Sequence, residues 1–490
     1  MPTSSLKGKT VSGVTWAAVE KWGQQIIQFI ITIIIARILS PADYGIVGIL
    51  TVFLMFSNVL IDSGFGAALI QRKEVTETDY STVFYFNLFI SIACYGLLYL
   101  AAPAIARFFN EPQLVPIARV LGTTIVINSF ALIQMTILQK RLEFKPQAYV
   151  ALAAVIVSGA VGVAMAYRGF GLWALVGQSI VSAVVQALLY WVFSAWRPLF
   201  VFSRTSISSL FGFSSNLLAS SLLNVVFRSI IPVLIGKYYS TRDLGFYTQS
   251  KRFNDLPSVN TTLIVQKVSY ATLATIQDDD ARLKAAYRRI IQSVAFIVFP
   301  AMLILAATAR PAILLLLTAK WEPSVIYLQI LAFGGMLYPL HSITLNICQI
   351  KGRTDIFLKL EVAKKAITLF FILAAIPFGV LAFVIAETIV SIISYFLNAK
   401  YNGDLIDYPL KEQIADIVPM FLISIATAAA VGAIGLIGTL PLAVLLAVQL
   451  SCAVALYLPL SRLFKVPAFL EWHMLVRDRF AALKRFGGLK

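Results

Sequence analysis

Residues 26–45 read IIQFIITIIIARILSPADYG, and the fold of the 490-residue chain can be predicted outward from this stretch. The apolar run before Arg37 belongs to a predicted membrane-spanning helix at 13–36, since a span needs about 20 mostly apolar residues. Ser40 followed by Asp43 is typical of a helix N-cap, because the Ser oxygen accepts from backbone N–H groups and an acid is favourable in the first turn. The stretch therefore predicts one span, a short turn and the start of a second span.

The same pattern recurs 200 residues later in the chain. The matched residues are Arg37 and Lys237, Ser40 and Ser240, Asp43 and Asp243, and Gly45 and Gly245. Capping boxes are common, so one match would mean little, but two matches after comparable spans indicate a duplication. Six spans separate the copies, which predicts two halves in parallel orientation. Transporters built from such repeats bind substrate near the midplane, at the repeat interface.

The composition is that of a membrane protein. Hydrophobic residues make up 59% of the chain and charged residues 13%, whereas soluble domains have roughly 45–50% and about 25%. We predict an all-α membrane protein with about 14 transmembrane helices. The predicted spans are 13–36, 46–70, 80–102, 115–138, 147–167, 171–193, 209–235, 245–271, 289–309, 323–349, 358–377, 380–398, 413–434 and 442–461.

The repeat and the spans together predict the domain organisation. Residues 1–200 form an N-terminal six-helix lobe and residues 201–405 a C-terminal six-helix lobe. Residues 406–462 add an extra pair, helices 13 and 14, which either line a groove for a lipid tail or pack at the periphery. Residues 463–490 form a cytoplasmic tail, which is either an amphipathic helix on the membrane surface or a solvated basic segment.

The net charge of +17 follows from membrane topology. In a soluble protein such a charge would indicate nucleic acid or another anionic partner. Here the basic residues concentrate in alternate connections, such as QKRLEFK at 139–145, and the positive-inside rule accounts for them with no nucleic-acid partner. We therefore expect a multi-pass protein with both termini in the cytoplasm. The first span is too long for a signal-peptide core, so we expect no cleavable signal.

Two predicted spans carry polar residues along one face. In span one they lie within an arc of about 140° at about 100° per residue, and in span seven they rise in i, i+4 steps. A lipid-facing Arg or Lys near mid-bilayer costs about 2.5–3.5 kcal/mol, so these faces should border the bundle interior or a wet cavity. We interpret them as a cationic, amide-rich site for phosphate and sugar hydroxyls; the alternative is that they neutralise other charges or brace helix packing. The candidate substrate-binding residues are Glu20, Lys21, Gln24, Gln28, Asn224 and Arg228.

Two further acidic residues are candidates for binding a coupling cation. Glu387 lies inside span twelve and Asp62 ends span two, and protons or Na⁺ need an ionisable or oxygen-rich site. The alternative for Asp62 is a helix-end residue at the interface. Catalytic motifs such as H-E-x-x-H and G-x-S-x-G do not occur in the sequence, so we expect no enzyme, no cofactor and no metal site.

Three stretches, at 36–45, 62–71 and 137–145, together with the region of Gly379 and Glu387, resemble the polysaccharide flippases of the MOP superfamily (the Wzx-type, colanic-acid-exporter-like proteins). The resemblance covers essentially the whole chain. It implies a MATE-like fold that flips undecaprenyl-pyrophosphate-linked oligosaccharide repeat units from the cytoplasmic to the periplasmic face of the bacterial inner membrane. It further implies alternating access, coupling to an H⁺ or Na⁺ gradient, and contacts with membrane lipids and with the polysaccharide polymerase and export machinery.

Other functions remain open at this point. A multidrug or metabolite antiporter of the MATE type would share the architecture, although it usually has twelve spans and takes small cationic substrates. A lipid II flippase is not excluded. A membrane-bound glycan polymerase or ligase would need catalytic residues on a sizeable periplasmic loop, whereas the longest periplasmic connections here are about 10–15 residues.

Overall fold

The computed structural model describes residues 3–436 and 440–470, and all regular secondary structure in these two ranges is helical. Two 3₁₀ turns, Ala319–Trp321 and Ile376–Phe378, accompany the α-helices. The α-helices are α1 (Thr3–Ile38), α2 (Pro41–Asp62), α3 (Phe65–Gln71), α4 (Glu77–Phe109), α5 (Leu114–Leu121), α6 (Thr123–Lys140), α7 (Phe144–Tyr167), α8 (Trp173–Phe193), α9 (Arg204–Tyr238), α10 (Thr241–Ala274), α11 (Asp280–Ala307), α12 (Ala309–Leu317), α13 (Ser324–Ile350), α14 (Thr354–Ala375), α15 (Val380–Ile406), α16 (Leu410–Gly435) and α17 (Leu442–Leu463).

The predicted all-α membrane fold is confirmed. Eleven helical segments of the described chain are long and apolar enough to cross a membrane. The other three predicted spans, 13–36, 245–271 and 358–377, are also helical and lie in α1, α10 and α14. These three helices carry several charged or amide side chains within the predicted spans, which makes them less apolar. The total of fourteen spans stays a prediction.

Two predicted spans are interrupted in the structure. The span predicted at 46–70 divides into α2 and α3, because Ser63 and Gly64 adopt φ values of 46° and 75° that a helix cannot continue through. The span predicted at 115–138 divides into α5 and α6 at Gly122. Hydropathy does not register such breaks, since the flanking residues are equally apolar.

The chain forms two compact units, one ending at Gly245 and the other beginning at Phe246. In the first unit α1 packs against α7, α8 packs against α6 and α7, and α9 packs against α2, α3 and α4. In the second unit α13 packs against α11 and α15, and α16 packs against α11 and α17. The predicted lobes, residues 1–200 and 201–405, were inferred from the duplicated pattern, and they stay a prediction. Residues 471–490 of the predicted tail lie outside the described residues.

Both copies of the repeated pattern begin a helix, as predicted. At the start of α2 the Ser40 Oγ accepts from the Asp43 N–H at 3.3 Å, and the Ser40 N–H donates to Asp43 Oδ2 at 2.8 Å. At the start of α10 the Ser240 Oγ accepts from the Asp243 N–H at 3.0 Å. The two N-caps therefore have the same local chemistry.

The two copies also contact each other through equivalent residues, within the first unit. A Cβ atom on Gly45 would lie 1.7 Å from the carbonyl oxygen of Thr241, and one on Gly245 would lie 1.9 Å from that of Pro41. Thr241 and Pro41 are themselves a pair at the 200-residue offset. The contact thus joins equivalent residues of the two copies, and the duplication inferred from spacing stays a prediction.

Candidate functional site

The first polar stripe lies on α1. Gly23 lets this helix approach α7 closely, since a Cβ there would lie 2.9 Å from Leu152 Cδ2. Lys21 and Gln24 are exposed, whereas Glu20 and Gln28 are half-buried. Glu20 interacts electrostatically with Lys21 and with Tyr190 of α8. The stripe therefore presents one ammonium and several amides at the surface of the first unit.

Aromatic contacts hold α1 against α7 on the N-terminal side of this stripe. The Trp16 and Tyr149 rings lie 5.6 Å apart. Lys145 Nζ lies 5.6 Å from the Trp16 ring centroid and 5.8 Å from that of Tyr149. Because Trp16 precedes Lys21 by little more than one helical turn, this cluster sets the position of the polar stripe.

The second polar stripe lies on α9. Asn224 and Arg228 are exposed, as are Ser220 and Asn216, one and two turns before Asn224. Near the end of the helix, Lys237 Nζ donates to the Phe108 carbonyl oxygen at 2.6 Å and holds α9 against α4. The stripe is thus a continuous polar face on a helix anchored at its far end.

The chemistry of both stripes suits a phosphate and sugar hydroxyls. A guanidinium or an ammonium binds phosphate oxygens through charge-assisted hydrogen bonds, and amides both donate to and accept from hydroxyls. The two stripes lie on helices with different packing partners, so the described contacts do not bring their residues into one packed interface. The assignment of Glu20, Lys21, Gln24, Gln28, Asn224 and Arg228 to binding stays a prediction.

Asp62 lies at a helix end, as its alternative interpretation expected. It is the last residue of α2, and its carboxylate accepts from the Gly66 N–H in the first turn of α3. Lys140 Nζ donates to the carbonyl oxygens of Leu69, at 2.6 Å, and Arg72 at the other end of α3. Asp62 therefore caps a short helix, and its role in cation binding stays a prediction.

Glu387, on α15, is part of a charged cluster with α10 in the second unit. Its carboxylate forms an ion pair with Lys251 and accepts from the Tyr247 hydroxyl at 2.9 Å. Lys251 Nζ also lies 3.6 Å from Asp255 Oδ1, which accepts from Asn254 Nδ2 at 3.1 Å. Lys251, Asp255 and Glu387 keep 33%, 32% and 26% of their side chains exposed, so the cluster is only partly buried.

Sequence reasoning missed the partners of Glu387. Lys251 and Asp255 lie inside the predicted span 245–271, so the criterion applied to Lys21, charge within a span, would have singled them out. The pairing itself could not be predicted, because Lys251 and Glu387 are 136 residues apart.

The chain is similar to several curated proteins over most of its length. The profile of the family described as "Polysaccharide biosynthesis protein" matches residues 34–326. Teichuronic acid biosynthesis protein TuaB of Bacillus subtilis is 25% identical over 86% of this chain and 88% of its own. Lipopolysaccharide biosynthesis protein WzxC of Escherichia coli is 25% identical over 88% of this chain and 89% of its own. Succinoglycan biosynthesis transport protein ExoT of Rhizobium meliloti is 29% identical over 69% of each chain.

Solved structures with a similar fold include two membrane transporters. Lipid II flippase MurJ, in an inward closed conformation, gives a TM-score of 0.74 over 92% of this chain and 98% of its own, at 16% identity. An inward-facing multidrug resistance MATE family transporter of the MOP superfamily gives a TM-score of 0.61 over 78% of this chain and 95% of its own, at 18% identity. At these identities the likeness shows the fold alone. The family profile and the curated relatives confirm the resemblance to polysaccharide flippases that was drawn from the sequence.

Proposed function

Because the chain belongs to the polysaccharide biosynthesis protein family, we propose that it is a flippase for lipid-linked oligosaccharides. It moves undecaprenyl-pyrophosphate-linked repeat units from the cytoplasmic to the periplasmic face of the bacterial inner membrane. The observation that carries this proposal is the pair of exposed polar stripes, with Lys21 and Arg228, on helices of an otherwise apolar protein. The names of the relatives, two for biosynthesis of a polysaccharide and one for transport in such a pathway, support it.

The physics of the substrate explains why such stripes are needed. An unpaired hydroxyl or amide costs a few kcal/mol in an apolar medium, and a phosphate charge costs more. A glycan therefore crosses only where polar groups replace its water. Lys21 and Arg228 bind the diphosphate, Gln24, Gln28 and Asn224 bind hydroxyls, and Glu20 orients Lys21. No covalent bond forms or breaks, so the protein is a transporter and not an enzyme.

The transport cycle is alternating access driven by a cation gradient. One elementary charge crossing 100 mV supplies about 2.3 kcal/mol, enough to bias the cycle. Glu387 is the candidate site for H⁺ or Na⁺, because it is a partly exposed carboxylate inside a predicted span; Asp62 is the second candidate. The positive-inside rule favours cytoplasmic termini. The periplasmic glycan then becomes available to the polymerase and export machinery.

The first test is complementation of bacterial strains that lack their glycan flippase. The wild-type chain should restore surface polysaccharide in a strain with a matching glycan. Lys21→Ala and Arg228→Ala should lower export about 10- to 100-fold at equal membrane amounts, because a hydrogen bond to a charged group contributes about 1.5–3 kcal/mol. Lys73→Ala, which removes an exposed cation between α3 and α4, is the matched control and should restore export fully.

Three outcomes would change the proposal. Full export by all three variants would retain the flippase function and discard the binding site. If no strain in the panel gains polysaccharide while cells gain drug resistance, the multidrug antiporter takes its place. Rescue only of a strain lacking its lipid II flippase would identify the cell-wall precursor as the substrate.

A further inference from the structure

The first unit contains an open apolar groove between α4 and α9. It consists of two adjoining cavities of about 370 and 300 Å³, which share the Phe86 and Phe211 side chains. Ile90 and Leu97 of α4 and Leu218 of α9 line the second cavity. The first cavity ends at Arg204, the first residue of α9, so the groove is apolar along its length and cationic at its mouth.

Hydrogen bonds to buried side chains hold the mouth of the groove in place. The Leu199 N–H donates to Ser81 Oγ at 2.9 Å, and the Ser203 N–H donates to Thr82 Oγ1 at 3.0 Å. Both acceptors are fully buried at the start of α4. These bonds fasten the segment that precedes Arg204 and fix where its guanidinium emerges.

A second cation lies next to this mouth. Arg72 Nη1 donates to Ser209 Oγ at 3.2 Å, and Ser208, beside it, lines the first cavity. Arg72 and Arg204 are both exposed, and Arg72 Nη1 also lies 3.8 Å from Asp79 Oδ1. Two guanidinium groups near one end of an apolar groove match a lipid with a diphosphate headgroup, because each can bind phosphate oxygens in a bidentate manner.

The groove is longer than the hydrocarbon depth of one membrane leaflet. From Arg204 to Leu218, α9 rises about 21 Å at about 1.5 Å per residue, whereas half of the hydrocarbon core measures about 15 Å. The basic residues that the positive-inside rule assigns to the cytoplasm include Arg72 and Arg204. The mouth therefore lies at the cytoplasmic interface and the groove extends toward the bilayer centre.

We infer that this groove is the loading site for the substrate's isoprenoid chain, with Arg204 and Arg72 binding its diphosphate in the cytoplasmic leaflet. The inference rests on the proposed function, since it assigns one part of that substrate to a site. The same helix continues from Leu218 to Asn224 and Arg228, the residues of the second polar stripe. This assignment places the lipid tail on α4 and α9 and leaves the appended helices α16 and α17 without that role.

The test is binding of undecaprenyl diphosphate to the purified full-length chain in detergent, by calorimetry. Leu97 is 69% exposed in the groove, so Leu97→Trp should fill it and weaken binding at least about tenfold, through lost apolar burial. Arg204→Gln should weaken binding by a similar factor. Val454→Trp makes the same change at an exposed apolar position of α17 and is the matched control. It should bind like the wild type.

Each other outcome overturns the inference. Normal binding by a folded Leu97→Trp variant, or loss of binding in Val454→Trp alone, would move the tail away from α4 and α9. Equal competition by phosphatidylglycerol would make the groove a general lipid site. Failure of the wild type to bind undecaprenyl diphosphate at all would instead contradict the proposed function. Leu97→Phe provides a smaller change if the Trp variant does not fold.

Discussion

Gly45 and Gly245 are the residues at which the duplicated pattern becomes a contact in space. Each lets its helix N-terminus touch the backbone of the other copy. The sequence predicted the duplication and both N-caps, because spacing and capping chemistry are local. It could not predict that the copies meet, since a constant offset along the chain carries no information about distance.

Gly45→Ala and Gly245→Ala should each destabilise the protein by about 1–3 kcal/mol, because the added methyl group overlaps a backbone carbonyl that cannot rotate away. Gly96→Ala in α4 is the matched control, since a Cβ there meets no atom within 4 Å. It should be neutral or slightly stabilising, as Ala favours helix. The thermal unfolding midpoints of the purified variants in one detergent measure this. Equal midpoints for all three variants would contradict the contact.

At the same scale, charge within a predicted span selects candidate residues, whose roles stay predictions, and does not reveal the partners of those residues. It identified Lys21, Arg228 and Glu387 from the sequence alone. Glu387 has two partners, Lys251 and Tyr247. Both lie on a helix far away along the chain, and only folding brings them next to Glu387. Pairs of this kind are invisible to any pattern within one span.

At the scale of elements, apolar length predicted where helices lie, and backbone conformation decided where they stop. The break at Gly64 escaped prediction because φ is not encoded in hydropathy. α9 shows the complementary case, since its i, i+4 polar residues were predicted to share a face and are exposed in the structure. The cost of placing Arg228 against lipid favours contact of this face with water.

Cysteine accessibility tests whether the polar face of α9 borders water. Cys94, Cys348 and Cys452 would be replaced by Ser, and single cysteines introduced as Asn224→Cys or Val226→Cys. Both positions are exposed, but they point about 200° apart around the helix. The thiolate forms only in contact with water, so a membrane-impermeant thiol reagent should label Asn224→Cys at least about tenfold faster. Equal labelling rates would mean that the stripe does not line an aqueous cavity.

At the scale of the whole molecule, composition, span count and charge asymmetry were enough to predict an all-α membrane transporter fold. The matched stretches at 36–45, 62–71 and 137–145 were enough to predict its family. Both follow from features spread over the entire chain, which individual errors in span boundaries do not disturb. The groove between α4 and α9 could not be predicted, because its walls come from two helices more than 100 residues apart.

The measurement that tests the central claim most directly is flipping by the purified chain in liposomes. The substrate would be the undecaprenyl-pyrophosphate-linked oligosaccharide isolated from the bacterium that encodes the chain, and a membrane-impermeant glycosidase would report which leaflet holds it. With an imposed cation gradient, the wild-type chain should move the glycan across at least about tenfold faster than Arg228→Ala, as the charge-assisted contact predicts. Transfer no faster than in protein-free liposomes would contradict the account.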